Sequence, residues 1–276
     1  MTVAEKKHRV IEPDSLIGKR IPKMDAPDKA SGRTRYIHDI NLPGQLHGKI
    51  LRTDRIHAII KSIDTSAAKA LPGVHVVLTG YDIPDQRPIG VAKDHFPLKV
   101  GRVRSERDEI AAVAAESEEI AEAALKLIKV EYEDLPVIGN PEDSIKPDAV
   151  LIHPEPHGAD GTHLHLKQGT SIAHKGKPDN IAMRFDYAHG DIAKGEAESD
   201  VVVEDTFKLH YVTHCCMGVS GMIAEFDAGG NVLMYSNTQV PFLHKREFAE
   251  YLNIDPARIR IIQPPIGGGF GSKLDI

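Results

Sequence analysis

The chain has 276 residues, of which 41% are hydrophobic and 27% charged, and its formal net charge is −6. This length predicts a globular protein of about two domains at about 150 residues each, and the negative charge argues against a general nucleic-acid binder because a phosphate backbone would repel it. No stretch approaches the ~20 apolar residues that cross a bilayer, and the N-terminus lacks the apolar core of a secretory signal, so we expect a cytoplasmic protein without a membrane partner.

Residues 1–27 are charged and interrupted by prolines, and we expect an extended N-terminal arm. Residues 28–140 alternate strand-like and helix-like segments, and we predict one α+β domain in which helices pack on sheets. Its predicted strands are His47–Arg52, His57–Ile63, Val74–Thr79, Ile110–Ala115 and Val130–Leu135.

Two helices are predicted in this domain. Asp64, Thr65 and Ser66 offer oxygen atoms that can cap a short helix over Ala67–Leu71. Ser117 can cap a second helix with an apolar stripe at helical spacing. The stripe consists of Ile120, Ala124, Leu127 and Ile128.

Residues 141–180 are rich in proline, glycine and polar side chains, which is typical of a linker. They contain the histidines His153, His157, His163, His165 and His174. Histidine is a common metal ligand, so a metal site in this loop is one hypothesis. The spacing matches no helical ligand pattern and no carboxylate pair accompanies it, so we favour solvent-facing histidines.

Residues 181–276 are predicted to form a second α/β unit. Its predicted strands are Val201–Leu209, Met222–Phe226, Val232–Tyr235 and Arg258–Ile262. The turn Ala228–Asn231 should join the second and third of them into a hairpin. Pro241 suits the first position of a helix that runs to about Leu252 and ends at Asn253.

The two cysteines, Cys215 and Cys216, are adjacent in the sequence. An iron–sulfur cluster usually takes four thiolates, so this chain cannot hold one by itself, and two cysteines make no disulfide framework. We expect the pair to pack as small apolar side chains near a strand end. Any electron transfer through iron–sulfur therefore requires another chain.

The most informative stretch is Gly267-Gly268-Gly269-Phe270-Gly271. Glycines at this density are typical of backbone that bends unusually or approaches a ligand closely, and consecutive N–H groups there can converge on an anion. The dinucleotide motif G-x-G-x-x-G fails because position 272 is serine, and the spacing before Lys273 does not fit a Walker A loop. A purely structural turn stays open as the alternative.

With Ser272 and Lys273 the stretch resembles the GGGFGxK signature of the molybdenum hydroxylases, the xanthine dehydrogenase and aldehyde oxidase family. Other segments are similar to the same family in the same order, over residues 20–276: Ser31–Ile40, Gly48–Arg52, Ile63–Ala68, Leu71–Val74, Ala111–Glu116, Val130–Pro136, Gly190-Asp191 and Asn237–Pro241. The resemblance implies an α+β protein: an α/β-hammerhead domain over 28–140, a linker over 141–180 and the first part of a molybdopterin-binding α/β domain over 181–276. Within the family, the sequence Thr238–Pro241 is most similar to that of 4-hydroxybenzoyl-CoA reductase large subunits.

The resemblance also implies a cofactor and its contacts. In the family, the Phe-Gly backbone lies against the molybdenum ligands, and an upstream glutamine hydrogen-bonds an oxo ligand. Here the resemblance assigns these roles to Phe270, Gly271 and Gln239. Gly268 and Gly269 would leave space for the pterin part of the cofactor. An amide and backbone N–H groups can stabilise charge on oxygen without titrating. The implied cofactor is molybdenum-molybdopterin, in its cytosine dinucleotide form, and no residue of this chain is expected to ligate the metal.

The family's second molybdopterin domain, with the glutamate that acts as general base, follows the signature in sequence. We therefore expect no catalytic residue in this chain and a partner chain that supplies the second domain, unless the chain is a truncated product. The resemblance further implies FeS and FAD partner subunits.

Three positions depart from the family's usual sequence. Arg107–Ala111 stands where relatives commonly show G-[DE]-P-[VI]-A. Met217-Gly218 stands where relatives show Met-Glu or Leu-Glu, which removes a carboxylate that could shape a substrate pocket or a subunit contact. Leu274 follows the signature where xanthine-oxidising relatives place an acidic residue, which argues against a purine substrate.

The leading hypothesis is part of the molybdenum-binding subunit of a multi-subunit oxidoreductase, inactive as a lone chain. Its substrate would be an aromatic, N-heterocyclic or aldehyde small molecule, which is hydroxylated or reductively dehydroxylated. A non-catalytic scaffold or assembly subunit with the hammerhead fold is the alternative, motivated by the missing second domain and the altered Met217-Gly218 step. A metal-binding protein that uses the loop histidines is a third.

Overall fold

The computed structural model describes residues 16–89, 95–154, 170–171, 179–181, 184–185 and 189–274. The helices of this part are α1 (Ala26–Ala30), α2 (Ser66–Lys69), α3 (Glu118–Leu127), α4 (Pro141–Ser144), α5 (Ile192–Ala197) and α6 (Pro241–Leu252). Its strands are β1 (His47–Arg52), β2 (Ala58–Asp64), β3 (Val74–Thr79), β4 (Arg102–Val103), β5 (Glu109–Ala115), β6 (Lys129–Asp134), β7 (Thr170–Ser171), β8 (Arg184–Phe185), β9 (Met222–Phe226), β10 (Val232–Ser236) and β11 (Ile259–Ile262).

Two antiparallel sheets form the first α+β domain. In one sheet β5 lies between β1 and β3, and in the other β2 lies between β4 and β6. The partly buried side chains of Leu51, Ile63 and Val130 pack against the cores of both sheets. The two sheets are therefore joined by shared apolar contacts, as the predicted α+β domain requires.

Helices α2 and α3 cover the β1-β5-β3 sheet, and small side chains let them approach it closely. The core between them consists of Ala68, Val77, Ala111, Val113, Ala115, Ala121, Ala124 and Ile128. Ser117 accepts a hydrogen bond from Ile120 N at 3.3 Å, which confirms the predicted cap. The predicted stripe is wrong at Leu127, which is exposed, because the buried face of α3 is centred on Ala121 and Ala124.

A half-buried carboxylate lies at the edge of this domain. Glu109 Oε1 pairs with Arg52 Nη1 at 2.5 Å, and its Oε2 lies 3.3 Å from Lys99 Nζ and 3.5 Å from His95 Nε2. Lys99 is itself buried and also faces Asp108 at 3.6 Å. Burial raises the pKa of the Glu109 carboxyl, but the hydrogen bond with His95 and the charges of Lys99 and Arg52 outweigh it and hold the pKa well below its usual range.

This network predicts a stability that depends on acid pH. Because the folded-state pKa of Glu109 lies below the unfolded-state pKa, its contribution is fully present above about pH 5 and declines as the pH falls through about 4.3. We expect Glu109→Gln to lower the free energy of unfolding at pH 7 by about 1–3 kcal/mol and to flatten its decline in acid. Urea unfolding of both proteins from pH 7 to pH 3 measures this, with the exposed Glu106→Gln as control. If the free energy of unfolding declined equally with falling pH in Glu109→Gln and wild type, the proposed contribution of Glu109 would be contradicted.

The second unit is a small mixed sheet with one covering helix. β9 and β10 form the predicted antiparallel hairpin, and β10 pairs in parallel with β11. Helix α6 makes the crossover between the parallel strands, and it ends at Asn253 in the left-handed conformation, as predicted. Its core consists of Val232, Met234, Ala249 and Ile259.

Two predictions for the rest of the chain have other outcomes. Val201–Leu209 is not a strand: residues 201–216 run without helix, turn or bend and pair with no strand of the described part. The reason is that a strand forms only against a partner, whatever its sequence pattern. Within the predicted linker, β7 forms a strand that pairs with β8, which lies beyond the end of the linker. The linker histidines His157, His163, His165 and His174 lie outside the described residues.

None of the helices in the described ranges is long and apolar enough to cross a membrane.

Candidate functional site

Three chain segments meet at the C-terminal end of the second unit. They are the glycine-rich loop 266–273, the segment 214–221 and the residues 237–239 that leave β10. Gly218 N donates to Gly267 O at 2.9 Å, and Gln239 N donates to Lys273 O, also at 2.9 Å. Main-chain hydrogen bonds therefore fix the glycine-rich loop on both sides.

The loop and the segment 214–221 cross in van der Waals contact of their backbones. A Cβ atom at Gly218 would lie 2.5 Å from Ile266 O and 2.8 Å from Gly267 Cα, and a Cβ at Gly267 would lie 2.7 Å from Gly218 Cα. Gly267 also has a φ of +64°, which favours glycine. The structure thus leaves no space for a side chain at position 218.

A buried lysine ties the same crossing together. Lys273 is 4% exposed, and its Nζ donates to Gly218 O at 2.5 Å and to Ile266 O at 2.7 Å. Among the described residues no carboxylate forms an ion pair with it. The ammonium thus bridges two carbonyls from separate segments, and its charge lies beneath the loop without a neutralising acid.

Gln239 packs directly under the loop. Its Oε1 accepts hydrogen bonds from Gly271 N at 2.9 Å and from Lys273 N at 3.4 Å. Since two N–H donors face this end of the amide, it must be the oxygen, and the opposite Nε2 donates to no residue of the described part. A Cβ at Gly269 would collide with Oε1 and would lie 2.5 Å from Gln239 Cδ. Glycine at 269 is therefore required by the glutamine itself.

Phe270 is the strained residue of the loop. Its φ is +51°, a conformation that is rare for a bulky side chain, and yet the ring is 75% exposed. Neither packing within the chain nor backbone preference accounts for a phenylalanine here. Met217 and Phe242, on neighbouring segments, are also exposed. Strain of this kind is concentrated at functional sites, and the exposed side chains indicate a face that another molecule covers.

The two cysteines differ from the expectation. Cys216 lies under the loop, with its Sγ 3.5 Å from both Gly269 O and Ser272 Oγ. Cys215 is exposed and has a φ of +46°, so the predicted packing is wrong for it. Of the two residues, only Cys216 contacts the loop.

All five residues predicted to contact the cofactor belong to this arrangement, although their contact with a cofactor stays a prediction. Gly268 and Gly271 have φ values of +102° and +98°, which only glycine adopts readily. Sequence reasoning missed Gly218 and Lys273. The only signals for them were the departure from Met-Glu at 217–218 and the lysine that closes the signature.

The chemistry of the assembled site is that of an anion cradle. It offers backbone N–H groups, one amide and a buried cation, and the described part of the chain holds no group of three or more histidine, cysteine or acidic side chains that could bind a metal ion. Such a site can hold and orient an anionic group without exchanging protons with it.

Comparisons with known proteins identify two family domains in the chain. Residues 31–136 match the family model of the aldehyde oxidase and xanthine dehydrogenase a/b hammerhead domain, and residues 173–276 match that of the molybdopterin cofactor-binding domain. The chain is 37% identical over 252 residues to a probable xanthine dehydrogenase subunit of Bacillus subtilis, covering 91% of this chain and 31% of that protein. It is 31% identical over 262 residues to the nicotinate dehydrogenase large molybdopterin subunit of Eubacterium barkeri, covering 95% of this chain and 56% of that protein.

A solved structure shows the same fold. Reconstituted CO dehydrogenase from Oligotropha carboxidovorans superposes with a TM-score of 0.80 at 29% identity, over 94% of this chain and 32% of that one. The chain thus spans about a third to a little over half of the length of these proteins.

Proposed function

Because the chain belongs to the xanthine dehydrogenase and aldehyde oxidase family of molybdenum-cofactor-binding subunits, we propose that it forms one wall of a molybdenum-molybdopterin site whose other wall comes from further polypeptide. The observation that carries this proposal is the orientation of Gln239. Its oxygen is held by Gly271 N–H and Lys273 N–H, so its Nε2 can donate to the cofactor. The buried charge of Lys273 favours an anionic group at the loop.

The residues of the site fit a molybdenum-molybdopterin cofactor in three ways. Gly268 and Gly271 leave the outer side of the loop without side chains, Phe270 N–H and the Gln239 amide supply donors, and the site contains no competing acid among the described contacts. When bound, the molybdenum centre supplies two-electron redox chemistry at a substrate carbon. This chain's residues orient the cofactor and exclude water from it on one side, and the general base is supplied from outside residues 1–276.

For the whole assembly we propose a multi-subunit oxidoreductase that acts on an aromatic or N-heterocyclic small molecule. The names of two relatives, nicotinate dehydrogenase and nicotine 6-hydroxylase, support the N-heterocyclic class. The cytosine dinucleotide form of the cofactor, FeS and FAD partner subunits, a cytoplasmic location and the similarity to 4-hydroxybenzoyl-CoA reductase belong to the same proposal. They rest on the family resemblance.

The test is to purify the chain with its companion polypeptides and to measure molybdenum and pterin. We expect both to be present in a fixed ratio to the chain. A stable assembly that holds neither would reject the catalytic function and would favour the scaffold.

Gln239→Glu tests the proposed donor directly. The carboxylate keeps an acceptor for Gly271 N–H and Lys273 N–H but lacks the Nε2 donor, so we expect the free energy of unfolding to change by less than about 1 kcal/mol. Turnover of the assembled enzyme should fall by about tenfold, the equivalent of one lost hydrogen bond of about 1.4 kcal/mol. Gln45→Glu is the matched control, since Gln45 Oε1 also accepts from a main-chain N–H, that of Leu42 at 3.1 Å. Equal turnover in the two variants would show that Gln239 does not donate a hydrogen bond to the cofactor.

A further inference from the structure

The segment 201–212 carries the pattern of a half-buried strand. Its odd positions are almost all apolar, and its even positions are mostly polar or charged. The apolar side chains at odd positions are Val201, Val203, Phe207, Leu209 and Tyr211. An alternation of this kind is typical of a strand with one face against a core. Twelve residues of strand would extend over about 40 Å.

The apolar face of this segment is uncovered. Val203, Phe207, Leu209 and Tyr211 are 84%, 85%, 96% and 103% exposed. Among the described residues, no hydrogen bond between two main-chain groups involves residues 201–214. On the polar side, in contrast, Lys208 forms an ion pair of 2.7 Å with Glu142. Within the described part of the chain, the polar side is thus contacted, while the apolar side is exposed and the backbone pairs with no other strand.

The segment that carries this face leads along the chain to the candidate site. The segment leads through Cys215 and Cys216 to the crossing at Gly218, where Met217 and Phe270 are also exposed. Monomeric proteins rarely leave so many neighbouring apolar side chains in water, and such patches mark interaction surfaces. One partner that covers the face would therefore also border the glycine-rich loop.

We propose that residues 201–212 form a docking strand that pairs with, and is covered by, the remaining polypeptide of the molybdopterin-binding subunit. The segment lies within residues 173–276, the part that matches the molybdopterin cofactor-binding domain, and the matched relatives are up to about three times longer than this chain. They therefore contain the additional polypeptide that this surface requires. A second copy of the chain is the competing occupant, because two such segments could also pair with each other; the composition of the purified complex distinguishes the two. Only the identity of the partner rests on the proposed function.

The experiment compares hydrogen exchange of the chain alone with that of the chain purified in complex from the cells that produce it, the companion polypeptides being identified by peptide mass spectrometry. We expect the amides of residues 201–212 to exchange at least about 100-fold more slowly in the complex, since strand pairing protects them. Unchanged exchange of these amides, or a companion that is only a second copy of this chain, would overturn the proposal.

Matched variants separate the two faces of the segment. Leu209→Asp and Phe207→Asp place a charge on the apolar face, and Val202→Asp places the same charge on the opposite face, where Val202 is 63% exposed. All three positions are exposed, so the variant chains should unfold at the wild-type temperature when alone. We expect the dissociation constant of the complex to rise at least about 100-fold for the two apolar-face variants and less than about threefold for Val202→Asp. Equal effects on both faces would contradict a docking strand.

These measurements do not depend on the cofactor. A complex that forms through residues 201–212 but contains no molybdenum would support the docking strand and reject the proposed function. A molybdenum-containing complex in which these amides exchange freely would support the proposed function and reject the docking strand.

Discussion

Gly218→Ala should lower the free energy of unfolding of the second unit by about 3 kcal/mol, at the upper end of the usual cost of overpacking. The added Cβ would lie 2.5 Å from Ile266 O and 2.8 Å from Gly267 Cα. Both neighbours are backbone atoms of a loop that is held on both sides by hydrogen bonds, so neither can move away cheaply. Chemical denaturation monitored by hydrogen exchange of residues 214–221 and 266–273 would measure the change.

The control for this substitution is Gly195→Ala. Gly195 lies inside α5, and apart from its chain neighbours and the backbone of its own helix no atom lies within 4 Å of the position that its Cβ would take. Alanine there should leave stability unchanged or raise it by up to about 1 kcal/mol, because it favours the helix. If Gly218→Ala were as stable as Gly195→Ala, the close crossing of the two segments would be wrong.

Lys273→Met should cost about 2–3 kcal/mol and should separate the two segments. Hydrogen bonds from a charged donor contribute about 1.5–3 kcal/mol each, and the ammonium makes two of them, to Gly218 O and Ile266 O. The relief of a buried charge offsets part of this loss. Methionine has a similar length and fills the same space, so the effect isolates the two hydrogen bonds and the charge. Unfolding in urea measures the loss of stability.

Lys126→Met is the matched control, since Lys126 is an exposed residue in the last turn of α3. Surface substitutions of this kind stay within about 0.5 kcal/mol. We also expect the assembled Lys273→Met complex to retain less molybdenum than the Lys126→Met complex, because the charge beneath the anion cradle is lost. Equal stability and equal molybdenum content in the two variants would show that the buried ammonium has no part in the loop.

Local sequence signals predicted most of the secondary structure. The hairpin of β9 and β10, the proline at the start of α6 and the cap at Ser117 depend on residues within one turn or one loop of each other. The bounds of β1, β3, β9 and α6 coincide with the predicted ones. At α3 the predicted stripe included Ala124 but took Leu127 in place of Ala121. A hydrophobicity pattern gives a small alanine little weight beside a leucine, although the alanine is the buried residue.

What could not be predicted depends on contacts between distant segments. The period-two pattern at 201–209 encodes one face of a strand, but the strand forms only with a partner, and the described part of the chain offers none. The roles of Gly218 and Lys273 arise where two segments about 50 residues apart in the sequence cross. Gly269 was predicted to leave room for a cofactor, and that role stays a prediction; the structure shows an intramolecular contact there, with the side chain of Gln239, which only the folded loop reveals.

The most direct measurement is a density map of the chain within its native complex. The central claim is that the main chain of residues 267–271 and the Nε2 atom of Gln239 face a molybdenum-pterin group that other polypeptide encloses from the opposite side. The predicted map shows that group within hydrogen-bond distance of the loop, with Phe270 covered. A map in which the loop faces open solvent, or is packed against protein with no cofactor beside it, would contradict the account.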